Sequence, residues 1–199
     1  MLEAWMHPAE KELITKHFSP EKTMLEWGSG GSTVEFAPHV KKLYSIEHNV
    51  EWYNKVRDEL ARLNITNVDY NFVEQNEERD EGQSTYKQFT NYIDKVDDFN
   101  EKFDIVLIDG RARRLCAYKI IPYLKKDAIV IIHDWVLRHV YHCVTDYYDI
   151  LDYIGHTPQT IATFKLKDNY TKTYDLSLGG FDRVDTEKDN YFKSYFLKS

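Results

Sequence analysis

Acidic side chains and one histidine sit at the ends of apolar runs. Asp109 closes "FDIVLID", and His133 and Asp134 close "AIVIIHD". Glu47 closes "YSIE" with His48 beside it, and Glu26 lies two residues ahead of Gly28 in "LEWGSGGST". Polar groups in such places are poor core residues and good candidates for chemistry. A carboxylate such as Glu47 can accept both hydroxyl protons of a ribose. A histidine has an ordinary pKa near 6.5, so His133 can take a proton from an alcohol near neutrality. Asp109 or Asp134 can orient that ring or take the proton directly. A divalent cation held by Asp109 and Asp134 is the alternative way to activate a hydroxyl. Against it, Mg²⁺ prefers oxygen ligands, and His133 between the two acids offers it none.

The glycines beside Glu26 exclude two familiar loops. Gly28, Gly30 and Gly31 fall within four residues, three of the eight in the chain. A dinucleotide fingerprint needs a small third residue where Thr33 stands, and a phosphate loop needs a Lys that is missing here. An acid next to a pyrophosphate is also repelled by it, whereas next to a cationic sulfonium–ammonium ligand it is attracted.

These residues need a sheet to carry them. Apolar runs predict strands over 23–27, 41–49, 68–74, 103–109 and 128–134, the last two continuous as in strands buried on both faces. Helical patterns lie between them, over 7–18, 32–40, 50–64, 85–99 and 111–126. In 50–64 the apolar positions are Val50, Tyr53, Val56, Leu60 and Leu63. Residues 75–84 read as a solvated loop. Residues 135–154 read as one long amphipathic helix, and 160–184 as a β-rich tail turning at Gly179–Gly180. The order predicts an α/β, doubly wound Rossmann-like sheet with a parallel core and an antiparallel C-terminal addition. Residues 1–199 read as a single domain: an N-terminal helical segment (1–22), a core (23–135), and a helix plus β-rich tail (136–199).

Composition narrows the partners. The net charge is −7, with 26 basic and 33 acidic residues. Proteins that grip a nucleic-acid backbone show a basic balance or stripe, so a nucleic-acid partner is not expected. No apolar run reaches the roughly 18 residues of a membrane helix, so no membrane partner is expected. Two cysteines without paired spacing and an N-terminus without a signal pattern predict a cytoplasmic protein, or the host cytoplasm for a viral chain.

Taken together, "MLEWGSGGST", "LYSIEHNVEWY" and "FDIVLIDGRAR" resemble the class I S-adenosylmethionine-dependent methyltransferases over residues 23–135. That resemblance implies S-adenosylmethionine as cofactor. It places Glu26, Gly28, Ser29, Gly30 and Ser32 at its methionine end, and Glu47 at the ribose. Glu74 or Gln75 would frame the adenine, with His48 and Asp109 also on the cofactor side. Trp52 either flanks the adenine or packs in the core. His133, Asp109 and Asp134 would then be the catalytic set, and Arg111, Trp135 and Arg138 would bind the acceptor. "DGRAR" ahead of a strand that ends in acids is also similar to glycan-modifying methyltransferases, such as the rhamnose-capping modules of chlorovirus capsid-glycan enzymes. The reading is O-methylation of a sugar hydroxyl, with a small-molecule or glycan acceptor. The alternatives are a small-molecule or protein N-methyltransferase, or a nucleoside-binding module without catalysis.

Overall fold

The computed structural model describes residues 2–77, 84–155 and 160–170. The Gly179–Gly180 turn and residues 78–83 of the polar loop lie outside the described residues. Seven strands form one sheet in the order β3-β2-β1-β4-β5-β7-β6. They are β1 (Thr23–Trp27), β2 (Lys42–Glu47), β3 (Val68–Phe72), β4 (Phe103–Ile108), β5 (Leu124–His133), β6 (Tyr148–Ile154) and β7 (Ile161–Leu166). The first five run parallel. β7 is antiparallel to both β5 and β6. This is the predicted α/β class with its antiparallel addition.

The helices are α1 (Pro8–Thr15), α2 (Gly31–Phe36), α3 (Val50–Arg62), α4 (Tyr86–Asp94) and α5 (Arg113–Lys119). Local chemistry sets their ends. His7 caps α1 and Pro8 opens it, Asn49 caps α3 through Trp52 N, and Thr85 caps α4 through Gln88 N. Pro38 and Pro122 fall in short 3-10 turns just past α2 and α5. Both faces of the central strands are dry. Leu25, Trp27, Val106, Ile108 and Val130 pack on one side, and Met24, Leu43, Ile105, Leu107 and Ile131 on the other. This explains why β4 and the end of β5 read as continuous apolar runs. On α3, Val56 and Leu60 are buried, but Val50 in the first turn is exposed.

One expected element is absent. Residues 135–154 do not form a long helix: a 3-10 segment (His139–Asp146) leads into β6. The stretch "YDILDYI" has apolar spacing that suits a helix or a strand. Pairing along β7, from Tyr148 with Leu166 to Ile154 with Ile161, satisfies its backbone as a strand. Strand order reverses between β1 and β4, which is where ligands of doubly wound sheets bind, beyond the carboxyl ends of the strands.

Candidate active site

Two loops cross at that reversal. Gly28 has φ +91, and a Cβ there would come within 2.4 Å of Gly110, so the turns after β1 and β4 touch backbone to backbone. Gly31 meets the N-terminal segment just as closely, since a Cβ would fall 1.8 Å from the Glu3 carbonyl oxygen. Gly30, between them, has nothing within 4 Å of its Cβ position and faces open space. That space is a cleft of about 470 Å³ whose wall includes Gly28, Ser29, Gly30, Glu47, Asp109 and His133.

Glu26 stands apart from this wall. Its side chain is fully buried and accepts hydrogen bonds from Ser32 Oγ (2.5 Å), Thr33 Oγ1 (2.6 Å) and Ser45 Oγ (2.7 Å). Burial raises its pKa to about 7 against the pull of those three hydroxyls, and the nearby Asp109 charge adds to the rise. Glu26 therefore ties α2 and β2 under the glycine loop. It does not present a charge to the cleft, where the sequence reading had placed it; Ser32 reaches the wall while donating back to Glu26.

Glu47 does face the cleft. Its Oε2 accepts from Ser29 N (2.8 Å) and Ser29 Oγ (3.0 Å), and its Oε1 from His48 N (2.9 Å) and Asn49 N (2.7 Å). Burial alone would raise its pKa, but the hydrogen bonds of His48, Asn49 and Ser29 prevail and lower it. Ser29 Oγ also lies 2.6 Å from Tyr70 Oη. His48 lines the cleft with its ring edge-on to Phe89 and Tyr92. Trp52 is 45% exposed and lies on the same wall, so it is not a core residue. Glu74 and Gln75 follow β3 outside the cleft lining, Glu74 exposed and Gln75 half-buried.

Opposite Glu47, four charged groups meet. His133 Nδ1 is 3.0 Å from Asp109 Oδ1 and 3.9 Å from Asp134 Oδ1, and its Nε2 is 3.7 Å from Glu10 Oε2. Burial disfavours charge on this ring, but the Asp109 hydrogen bond and the charges of Asp109 and Asp134 outweigh it and raise the pKa. Both ring nitrogens thus face carboxylates, while the Asp109 and Asp134 carboxylates line the cleft. Asp134 takes a left-handed conformation, φ 58, which aims its side chain back at the site.

Sequence reasoning missed the hub of this cluster. The Arg113 side chain is only 11% exposed, and its guanidinium lies 3.3 Å from both Asp109 Oδ1 and Asp134 Oδ2. It also donates to the Gly110 carbonyl (3.0 Å) and to the His133 carbonyl. Its ion pairs with both acids are what the sequence "RARR" does not show. This guanidinium lies between the two acids that a divalent cation would have to bridge. Among the described residues no three His, Cys, Asp or Glu side chains form a metal-holding group. The two acids therefore do not fit a cation site. Glu10 and the Leu2–Met6 segment were also missed. Leu2, Glu3, Trp5 and Met6 line the cleft, and Trp5 is 87% exposed at its mouth.

Of the expected acceptor residues, Arg111 lines both the cleft and a neighbouring cavity, and Arg138 lies at the neighbouring cavity, 3.1 Å from Asp134 Oδ2. Trp135 does not bind an acceptor. It is fully buried, packs on His142 and Phe164, and donates its indole N–H to the Tyr141 carbonyl (3.1 Å). A large, mostly apolar ring whose one N–H finds a carbonyl is drawn into the core.

Solved structures share this architecture. A methyltransferase-like protein from Silicibacter pomeroyi superposes with a TM-score of 0.66 at 24% identity, over 83% of this chain and 89% of that one. A Streptococcus mutans protein described as a methyltransferase and solved with S-adenosylhomocysteine gives 0.58 at 15% identity, over 81% and 99%. An rRNA methylase from Streptococcus thermophilus gives 0.58 at 15% identity, over 81% and 98%. No protein-family model and no curated protein sequence matches the chain. The fold is that of the class I methyltransferases.

Proposed function

We propose that the chain is an S-adenosylmethionine-dependent O-methyltransferase acting on a sugar hydroxyl. The observation that carries the reading is the open floor at Gly30, with Glu47 on one side of the cleft and Asp109 on the other. The Streptococcus mutans structure, which holds the demethylated cofactor on the same fold, supports the choice of ligand. When bound, S-adenosylmethionine supplies an electrophilic methyl group on a sulfonium. Gly28–Gly30 would hold its amino-acid end and Glu47 its ribose.

The remaining chemistry belongs to the chain. An alcohol needs a proton acceptor in the transition state, worth about 10²–10⁴-fold, and orientation contributes more. Asp109 and Asp134 are the cleft-wall carboxylates beside His133. His133 holds Asp109 Oδ1 through Nδ1, and Arg113 meets Asp109 Oδ1 and Asp134 Oδ2, so both carboxylates are oriented through one oxygen each. Asp109 or Asp134 takes the hydroxyl proton, and His133 serves to position Asp109. The acidic balance of the chain disfavours a nucleic-acid acceptor.

Calorimetry of the full chain with S-adenosylhomocysteine tests the first half, with about one site per chain expected. No binding overturns the reading. Labelled methyl donor against a panel of sugars and glycans, with mass detection of product, tests the second half. Methylation confined to amines would overturn the hydroxyl acceptor.

A further inference from the structure

Glu10 is a fully buried acid that the chemistry above does not use. It closes the capping box of α1, where its Oε2 accepts from His7 N at 2.8 Å. That bond fixes the side chain but does not require burial, since capping boxes also form at solvated helix ends. Leu13 and Ile14 of the same helix share a core with Ile105, Leu107 and Ile131, which holds α1 against β4 and β5. Glu10 Oε2 is thereby brought 3.7 Å from His133 Nε2, an ion-pair distance longer than a hydrogen bond.

The protons on this ring can be counted. His133 is buried, and its Nδ1 lies 3.0 Å from Asp109 Oδ1. A neutral imidazole carries one N–H and one bare lone pair. With the proton on Nδ1, the bare Nε2 faces Glu10. With the proton on Nε2, the bare Nδ1 faces Asp109. Each neutral form sets a lone pair against a carboxylate where little water screens the repulsion. The imidazolium presents an N–H to both acids. Asp134 Oδ1, 3.9 Å from Nδ1, also favours the cation. Arg113 opposes it, but that guanidinium is itself met by Asp109 and Asp134, at 3.3 Å each.

We infer that Glu10 is a positioning residue, holding His133 as an imidazolium at neutral pH so that Nδ1–H stays directed at Asp109. Glu10 touches no reacting atom and acts only through His133. An imidazolium has no lone pair to receive a proton, so His133 orients Asp109 and is not the base. The bearing on methyl transfer rests on the function proposed above; the charge on the ring does not.

The test is nitrogen NMR of the full chain labelled at histidine, with the His133 signals identified by their loss in His133→Asn. Both ring nitrogens should carry a proton at neutral pH. Glu10→Gln keeps an oxygen for His7 N but removes the charge. Its His133 ring should be neutral at neutral pH, with a titration midpoint lower by at least about one pH unit, a 10-fold loss of proton affinity. Glu10→Asp, which keeps the charge one methylene further back, should give a midpoint between the two. A purely structural role for Glu10 would lower thermal stability and leave the midpoint unmoved. A bare ring nitrogen in the wild type at neutral pH, or equal midpoints in wild type and Glu10→Gln, would overturn the proposal. If Glu10→Gln does not fold, the wild-type spectrum and the Glu10→Asp midpoint decide in the same way. Failure of S-adenosylhomocysteine to bind a chain whose His133 is doubly protonated would sink the methyltransferase reading and leave the Glu10–His133 pair standing.

Discussion

The carboxylate of Glu47 has about four lone-pair sites, and they are already crowded: Ser29 N, Ser29 Oγ, His48 N and Asn49 N donate to them, and His48 Nδ1 lies 3.0 Å from Oε1. A ribose diol can enter only by displacing one. The three backbone donors are fixed by the fold, and the His48 ring is held edge-on by Phe89 and Tyr92, so the group that yields is the Ser29 hydroxyl, which has Tyr70 Oη at 2.6 Å to turn to. Ser29→Ala should therefore leave the affinity for S-adenosylhomocysteine unchanged or raise it, whereas Glu47→Gln should lower it about 10-fold. Calorimetry of the two variants side by side decides; a Ser29→Ala loss as large as that of Glu47→Gln would contradict the exchange. Gly30 gives a second test. Its backbone is extended, φ 178, and its Cβ position is open, so Gly30→Val should fold normally and fill the cleft. Unchanged thermal stability with cofactor affinity lowered at least about 10-fold is the expected pair of results. Retained affinity would show that the cleft floor is not where the ligand lies.

Elements whose residues repeat one local signal were legible in the sequence. β1 and β4 are within a residue of their predicted bounds, because a strand dry on both faces leaves no polar position to blur it. Glu47, Asp109, His133 and Asp134, which the structure brings to one cleft, stand out in the sequence for a related reason: each lies at the end of an apolar run. What was not legible depends on contacts distant in sequence. Nothing near residue 148 reveals that β7 will pair with it, nothing near Glu10 reveals that His133 lies 3.7 Å away, and nothing in "RARR" marks Arg113 as the arginine that meets both Asp109 and Asp134. Glu26 was assigned to the cleft for its charge, and only the packing of Ser32, Thr33 and Ser45 around it shows that it points inward. Trp135 carries the corresponding prediction for an element. It joins the end of β5 to β7 through Phe164 and holds the 3-10 segment through Tyr141. Trp135→Phe should cost about 2 kcal/mol of stability, from lost volume and one lost hydrogen bond. Denaturant unfolding measures this, and cofactor affinity should stay unchanged; a fully stable variant with weakened acceptor binding would return Trp135 to the substrate site.

At the scale of the whole molecule, the ionisable groups set a pH at which the fold is strongest. Glu26 has a folded pKa of about 7 against an ordinary 4.5, so the folded chain holds the extra proton between these values. Stability from this group falls as pH rises from about 4.5 to 7. His133, raised above 6.5 against its burial by Asp109 and Asp134, acts in the same direction: its contribution is present below 6.5 and is lost as pH climbs through the folded value. Glu47 and Asp152 oppose them on the acid side. Both are lowered, Glu47 by hydrogen bonds that overcome its burial and Asp152 first by its bond from Lys16, so their contributions disappear as pH falls through their folded values. Net charge works with the first pair, because a chain of pI about 5.6 repels itself more as pH rises above that point. The sum places maximum stability near pH 5–6, on the acid side of neutrality. Differential scanning calorimetry from pH 4 to 8 should show the midpoint rising to that range and then declining. In Glu26→Gln, which keeps an uncharged partner for the three hydroxyls, the decline from 5 to 7 should flatten by up to about 2 kcal/mol. A wild-type midpoint that is level or rising from pH 5 to 8, or a variant with the same slope, would show that the buried Glu26 does not bear the proton this packing assigns to it.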